Sequence, residues 1–265
     1  MFHWSVVFIL LISCLPGLAL MSYGIVHTLG RLPIPEGKKK LPPAPILRLL
    51  VFVQTGLVVT LLAVVGAYFA PRAGLADPFL LAFAQGEGGF RLWELLRPQL
   101  LAGLLVGAPG AAVFLAGYYF VFRPWLDDAT VASMEQFRFA SGIWVRVLYG
   151  GVVEEVLIRW GLLSLLAWLI SLLTPGGGVT ATGVWLSILV SGIAFAAGHA
   201  PSYAAAGCKL TPRFWTAILV LNLWVSLYCG WLFWQHGLAA AIVAHMLVHA
   251  AWLPLDLRVA RRATA

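Results

Sequence analysis

Glu154, Glu155 and Arg159 stand inside an apolar stretch, GGVVEEVLIRWGLL, from Gly150 to Leu163. At the centre of a membrane helix each acid or Arg costs about 2.5 to 3.5 kcal/mol on insertion scales, so the three cost on the order of 8 kcal/mol unless paired or hydrated. Residues four apart share a helix face, and successive residues turn by about 100°. Glu155 and Arg159 are the four-apart pair, with Glu on the N-terminal side, the better orientation for an ion pair. Glu154 is left over, turned to one side and without a partner on its own helix. A carboxyl so placed suits a general base or a proton carrier. The blander reading, in which both acids only bind neighbouring helices together, fits Glu155 better than Glu154.

Histidines on other apolar runs supply the complementary chemistry. Phe195 and His199 are four apart in IAFAAGHAP, just before Pro201, and His245 and His249 are four apart in AHMLVH. A carboxylate and an imidazole together hold and deprotonate a water, and further imidazole donors stabilise an oxyanion. That is a toolkit for peptide hydrolysis. The chain has no HExxH for a zinc protease, no GxSG for a rhomboid-type serine and no GxGD for an aspartyl pair, which leaves a glutamate-type site.

The elements that must position these residues are membrane helices. Of 265 residues 62% are hydrophobic and only 10% charged, with a mean hydropathy of +0.93, which excludes an ordinary soluble domain. The expected fold is all-α, a polytopic transmembrane helix bundle of about seven spans plus an interfacial helix. The basic residues sit in short loops rather than in one patch, so the partner they imply is the lipid bilayer and not nucleic acid. Cys14, Cys208 and Cys229 are far apart and in or beside apolar runs; they read as packing residues, with no disulfide framework.

In order, Trp4 to Gly30 carries no charge and is the first span, longer than a signal-peptide core and with no basic residue before it. The proline-broken basic loop Arg31 to Pro45 follows. Leu49 to Ala70 is the second span, Pro71 to Arg97 a connection with a small interfacial helix around Trp93, and Gln99 to Phe122 the third span, kinked at Gly107, Pro109 and Gly110. Phe139 to Leu173 would reach about 50 Å as one helix against a hydrocarbon core of about 30 Å. It must break, and Gly150 with Gly151 is the natural place, leaving Asp128 to Tyr149 as an interfacial helix and Val152 to Leu173 as the fourth span. Val184 to His199, Phe214 to Trp234 and Leu238 to Leu253 complete the seven, with Pro175 to Gly178 and Gln235 to Gly237 as turns.

Charge sets the orientation. Arg31 to Arg48, Arg123 to Arg146, Lys209 with Arg213, and the tail hold 13 of the 17 basic residues on one side, Arg72, Arg91 and Arg97 lie opposite, and Arg159 is within the membrane. The predicted topology has the N-terminus outside and the C-terminus cytoplasmic. Glu154, His199, His245 and His249 then share one depth near the cytoplasmic face.

EEVLIR from Glu154 to Arg159, FAAGH from Phe195 to His199 and AHMLVH from Ala244 to His249 resemble, in order, the EExxxR, FxxxH and HxxxN motifs of the CPBP family of glutamate-dependent intramembrane proteases, which includes type II CAAX prenyl endopeptidases and Abi proteins. The resemblance covers roughly Asp128 to Leu253. It implies that Glu154 and His199 bind and activate a water, that His245 and His249 form the oxyanion site, and that Glu155 and Arg159 support them, with Phe195 packing beside the site. It implies no cofactor or metal. The chain departs from the pattern at His249, where the family commonly has Asn.

The expected organisation is a transmembrane region of three spans over 1–127, a catalytic bundle over 128–253 and a basic cytoplasmic tail over 254–265. Its substrate would be a membrane-associated peptide or protein, cut near a terminus. Two other readings stand beside it. His199, His245 and His249 could join Glu154 around Zn²⁺ in a zinc-dependent membrane hydrolase. Buried Glu and His also serve proton-coupled transport or a catalytically silent peptide-binding scaffold.

Overall fold

The structure, a computed structural model, describes residues 2–29, 42–174 and 176–263. The basic loop up to position 41, Pro175 and the side chains of the tail from Arg258 onward lie outside the described residues. Among the described residues the regular structure is entirely helical. Seven helices are long and apolar enough to cross a membrane: the protein is an integral, multi-pass helical bundle.

The helices are α1 (Trp4–Leu29), α2 (Ala44–Phe69), the short α3 (Pro78–Ala84), α4 (Gly89–Ala116), α5 (Arg123–Trp125), α6 (Asp128–Val145), α7 (Ser164–Leu173), α8 (Ala181–Ala205), α9 (Pro212–His236) and α10 (Leu238–Ala263). Wide π-helical turns link α4 to α5 over Gly117–Phe122 and α6 to α7 over Arg146–Val153 and Val156–Leu163. Leucines such as Leu57, Leu105 and Leu173 remain exposed on the outer faces, as they must where hydrocarbon rather than water is the solvent.

The run from Asp128 to Leu173 is 46 residues long, about 70 Å if straight, so it bends. The bend is not at Gly150 and Gly151. It falls at Gly142, the one residue of α6 with non-helical backbone, at φ 70° and ψ 159°, where the absence of Cβ removes the usual penalty. The interfacial segment therefore ends earlier than the sequence suggested, and Gly150 and Gly151 stay helical. Their lack of side chain serves close approach instead: a Cβ on Gly150 would lie 2.5 Å from Nε2 of His249, and one on Gly151 would collide with Met246.

Two other expectations are corrected. Trp93 belongs to α4, and the short helix of that connection is α3. Gly107 and Gly110 do not interrupt α4, which runs unbroken from Gly89 to Ala116 through Pro109. Gly103 and Gly107 instead face α10, where added Cβ atoms would lie 2.7 Å from the carbonyl oxygen of Ala240 and 2.6 Å from Cα of Ala244. Small residues four apart on both helices let the backbones approach closely, the usual device where lipid gives no hydrophobic drive for helix association. It locks the helix that carries His245 and His249.

Asp77 fixes the start of that helix. Its carboxylate accepts from the N–H of Leu80 at 3.0 Å and caps α3, and also from the N–H of Leu238 at 2.6 Å at the start of α10. Gln99 donates to Asp77 at 3.2 Å and accepts from the N–H of Ala239 at 3.1 Å. Two helix N-termini thus have their free donors satisfied by one buried acid and one amide. All three cysteines are buried and free, as packing residues would be.

Candidate active site

Glu154 and Glu155 occupy the short α-helical step between the two π-helical segments. Wide turns of this kind are rare and shift the register of side chains along a helix, which is one reason that they recur at functional sites. Glu155 is fully buried. Nη1 of Arg159 lies 3.0 Å from its Oε1, the four-apart pair expected, with both side chains at 1% exposure or less. The same oxygen accepts from Nδ1 of His245 at 2.6 Å, a contact between helices that the sequence did not reveal.

Glu154 faces the other way, with 19% of its side chain exposed. Its two oxygens stand 4.0 Å from Nε2 of His199 and 3.9 Å from Nε2 of His245. Both separations are too long for a hydrogen bond and of the size that one water spans, with about 2.8 Å to each partner. The ring partners fix the tautomers. His199 turns Nδ1 to the carbonyl oxygen of Phe195 at 2.8 Å, so Nδ1 carries the proton and Nε2 offers a lone pair toward Glu154. In His245, Nδ1–H donates to Glu155, and Nε2 again faces Glu154.

Phe195 packs edge-on to His199 and His245, with ring centroids 4.6 and 5.9 Å apart, and the guanidinium of Arg159 lies over its face at 5.2 Å. His249 does not reach Glu154. It stacks beneath His245, with centroids 5.0 Å apart and planes at 26°, and both its ring nitrogens are buried without a hydrogen-bond partner. Among the described residues no three His, Cys, Asp or Glu side chains are grouped to hold a metal ion. The stacked rings present parallel faces rather than converging nitrogens, so the donor set does not fit a His199, His245 and His249 centre.

The model of the type II CAAX prenyl endopeptidase Rce1-like family matches residues 136–251, which contain every residue of this constellation. Residues 136–251 are a domain of that family. No curated protein and no solved structure gives a significant match to the chain. Seven spanning helices and a domain of this kind over residues 136–251 support a membrane CAAX-type endopeptidase.

Beside the site lies a polar cluster that sequence reasoning passed over. Arg138 and Arg146 both meet Asp256, at 2.8 and 2.9 Å, with side chains 7%, 10% and 6% exposed respectively. The two arginines read in the sequence as topology signals of an interfacial helix. The available clue was Asp256, the one acid of the last helix, on the same face as His249 two turns earlier.

Proposed function

We propose that the protein is a glutamate-dependent intramembrane endopeptidase that hydrolyses a peptide bond near a terminus of a membrane-associated peptide or protein, with no metal. The observation that carries this reading is the Glu154 carboxylate facing the Nε2 atoms of His199 and His245 at 4.0 and 3.9 Å. A water in that gap donates one proton to Glu154, while the Nε2 lone pair of His199 accepts its other hydrogen and holds it. As the water oxygen bonds to the scissile carbonyl carbon, its proton passes to Glu154 and negative charge collects on the carbonyl oxygen. Collapse breaks the C–N bond, and Glu154 returns the proton to the leaving amine.

The oxyanion needs donors. Nε2 of His245, held toward Glu154 by the Nδ1–H bond to Glu155, lines the oxyanion side of the gap. His249 adds one donor from a ring with both nitrogens otherwise unused. The family's name makes an isoprenylated Cys-aliphatic-aliphatic-X terminus the substrate class to try first. The test is cleavage of a farnesylated peptide of that form by the detergent-purified protein and by Glu154→Gln. The expected result is cleavage by the former and none by a stably folded latter. Full activity of Glu154→Gln ends the general-base assignment.

A further inference from the structure

Gly150 and Gly151 together form a seat for α10. A Cβ added to Gly150 would lie 2.5 Å from Nε2 of His249 and 3.1 Å from its Cδ2, and one added to Gly151 would collide with Cγ of Met246. Neither glycine has the positive φ that other residues avoid, so the backbone does not call for glycine at either position. The two contacts differ in what can yield. Met246 is unbranched and repacks readily. The His249 ring is rigid, stacked on His245 with centroids 5.0 Å apart and planes at 26°, and both its nitrogens are buried.

The ring that presses on Gly150 is linked to the reacting groups. His245, on which it stacks, holds Nδ1 2.6 Å from Glu155 and Nε2 3.9 Å from Glu154, and Phe195 stands edge-on to it at 5.9 Å. A His249 ring pushed off Gly150 by a methyl group must tilt against His245 or carry that part of α10 with it. Either motion moves Nε2 of His245 relative to the gap before Glu154. Position 249 is also where the chain departs from the HxxxN pattern. A carboxamide stops one bond short of the imidazole Nε2, so Asn there would remove the 2.5 Å conflict and leave at most the 3.1 Å one, which a small rotation relieves.

Resting on the protease reading above, we propose that Gly150 is a positioning residue: it admits an imidazole at position 249 and, through the stack of His249 on His245, sets Nε2 of His245 against Glu154. Gly150 and His249 form one unit, in which the missing side chain of the first makes room for the larger side chain of the second. The contact of Gly151 with Met246 serves only the approach of the two helices, and its effect does not depend on the residue at position 249.

The test is a double-mutant cycle of Gly150→Ala and His249→Asn, read as kcat and KM on a farnesylated Cys-aliphatic-aliphatic-X peptide and as melting temperature in detergent. Gly150→Ala should lower kcat by on the order of 10²-fold, the usual cost of misplacing a reacting group by about 1 Å, with KM little changed. It should also lower the melting temperature by at least about 2 °C, as overpacking does, although Ala is the better helix former and would raise it if nothing stood in the way. In the His249→Asn background the same change should cost at least about 10-fold less in kcat and leave the melting temperature near that of His249→Asn. Gly151→Ala, the control, should cost the same in both backgrounds. Equal losses for Gly150→Ala in both backgrounds, no loss in the wild type, or an equal rescue of Gly151→Ala overturns the proposal. If Gly150→Ala does not fold, a folded Gly150→Ala/His249→Asn protein upholds the pair and an unfolded one overturns it. If the wild type cuts no peptide, the protease reading fails on this substrate, and the melting cycle decides the seat by itself: a coupled loss upholds it and an additive one overturns it.

Discussion

Glu155 accepts the Nδ1–H of His245 at 2.6 Å while the guanidinium of Arg159 stands 3.0 Å from the same oxygen. One fully buried carboxylate therefore both neutralises an intramembrane cation and sets the ring orientation of a residue on another helix. The adjacent acids consequently differ in kind. Glu155→Gln should cost about 3 to 5 kcal/mol of stability, because it leaves Arg159 as an uncompensated buried charge. Glu154→Gln, at a partly exposed side chain with no aligned partner, should melt within about 0.5 kcal/mol of the wild type and yet be inactive. Detergent melting and peptide cleavage measured on both variants decide it; a stable Glu155→Gln protein would show that the pair does not hold the bundle together.

Topology is the second prediction. The split of basic residues, 13 on one side and three opposite, puts the loop from Arg31 to Pro45 and the C-terminal tail in the cytoplasm. Cysteines introduced there should resist a membrane-impermeant maleimide in intact cells and react after lysis. Efficient labelling of both segments from outside would reverse the orientation and move the site to the other face.

Much of this architecture was legible in the sequence because hydrocarbon imposes a simple rule: long uncharged runs become spans, and every charge within one needs a reason. Glu154, Glu155 and Arg159 stood out on that ground alone, and the i, i+4 spacing separated the two acids correctly by face. What stayed hidden depended on contacts between helices. Nothing in EEVLIR or AHMLVH specifies that Glu155 meets His245, and the two buried arginines that meet Asp256 lie far from it in sequence. The break at Gly142 rather than Gly150 was hidden for a related reason. A lone glycine in a helical run does not state whether it is there for its backbone freedom or for the side chain that presses on it, and at Gly150 the latter holds, with His249 as the neighbour.

His249 is the third prediction. If it donates a hydrogen bond to the oxyanion, Asn should replace it with little loss, whereas Ala should lower kcat by about 10²- to 10³-fold, the usual penalty for one oxyanion donor. If the ring ligates zinc, Asn should fail much as Ala does, since zinc sites use Cys, His, Asp or Glu. The partnerless ring nitrogens and the stacking on His245 favour the hydrogen-bond role. Assays of His249→Asn and His249→Ala with and without chelator, alongside metal analysis of the purified protein, separate the two. Stoichiometric zinc, chelator sensitivity and a dead Asn variant together would replace the glutamate mechanism with a metalloenzyme.

The last prediction concerns Asp77, outside the spans and 1% exposed, which ties α3, α4 and the first turn of the histidine-bearing helix together. Burial pushes its carboxyl above the ordinary carboxylate range, while the N–H donors of Leu80 and Leu238 and the amide of Gln99 pull it back only in part. A carboxyl held above its unfolded value of about 3.9 binds its proton more readily in the native state. Its contribution to stability is thus fully present below the unfolded pKa and is lost as the pH rises through the native one. Asp77→Asn keeps an acceptor oxygen for one of the two helix caps, which use different oxygens of the acid, and does not titrate. The melting temperature of the wild type relative to Asp77→Asn should therefore fall as the pH is raised from about 4 to about 8. A wild-type advantage that grows with pH over that interval would mean that the capping donors outweigh burial and hold the carboxylate ionised.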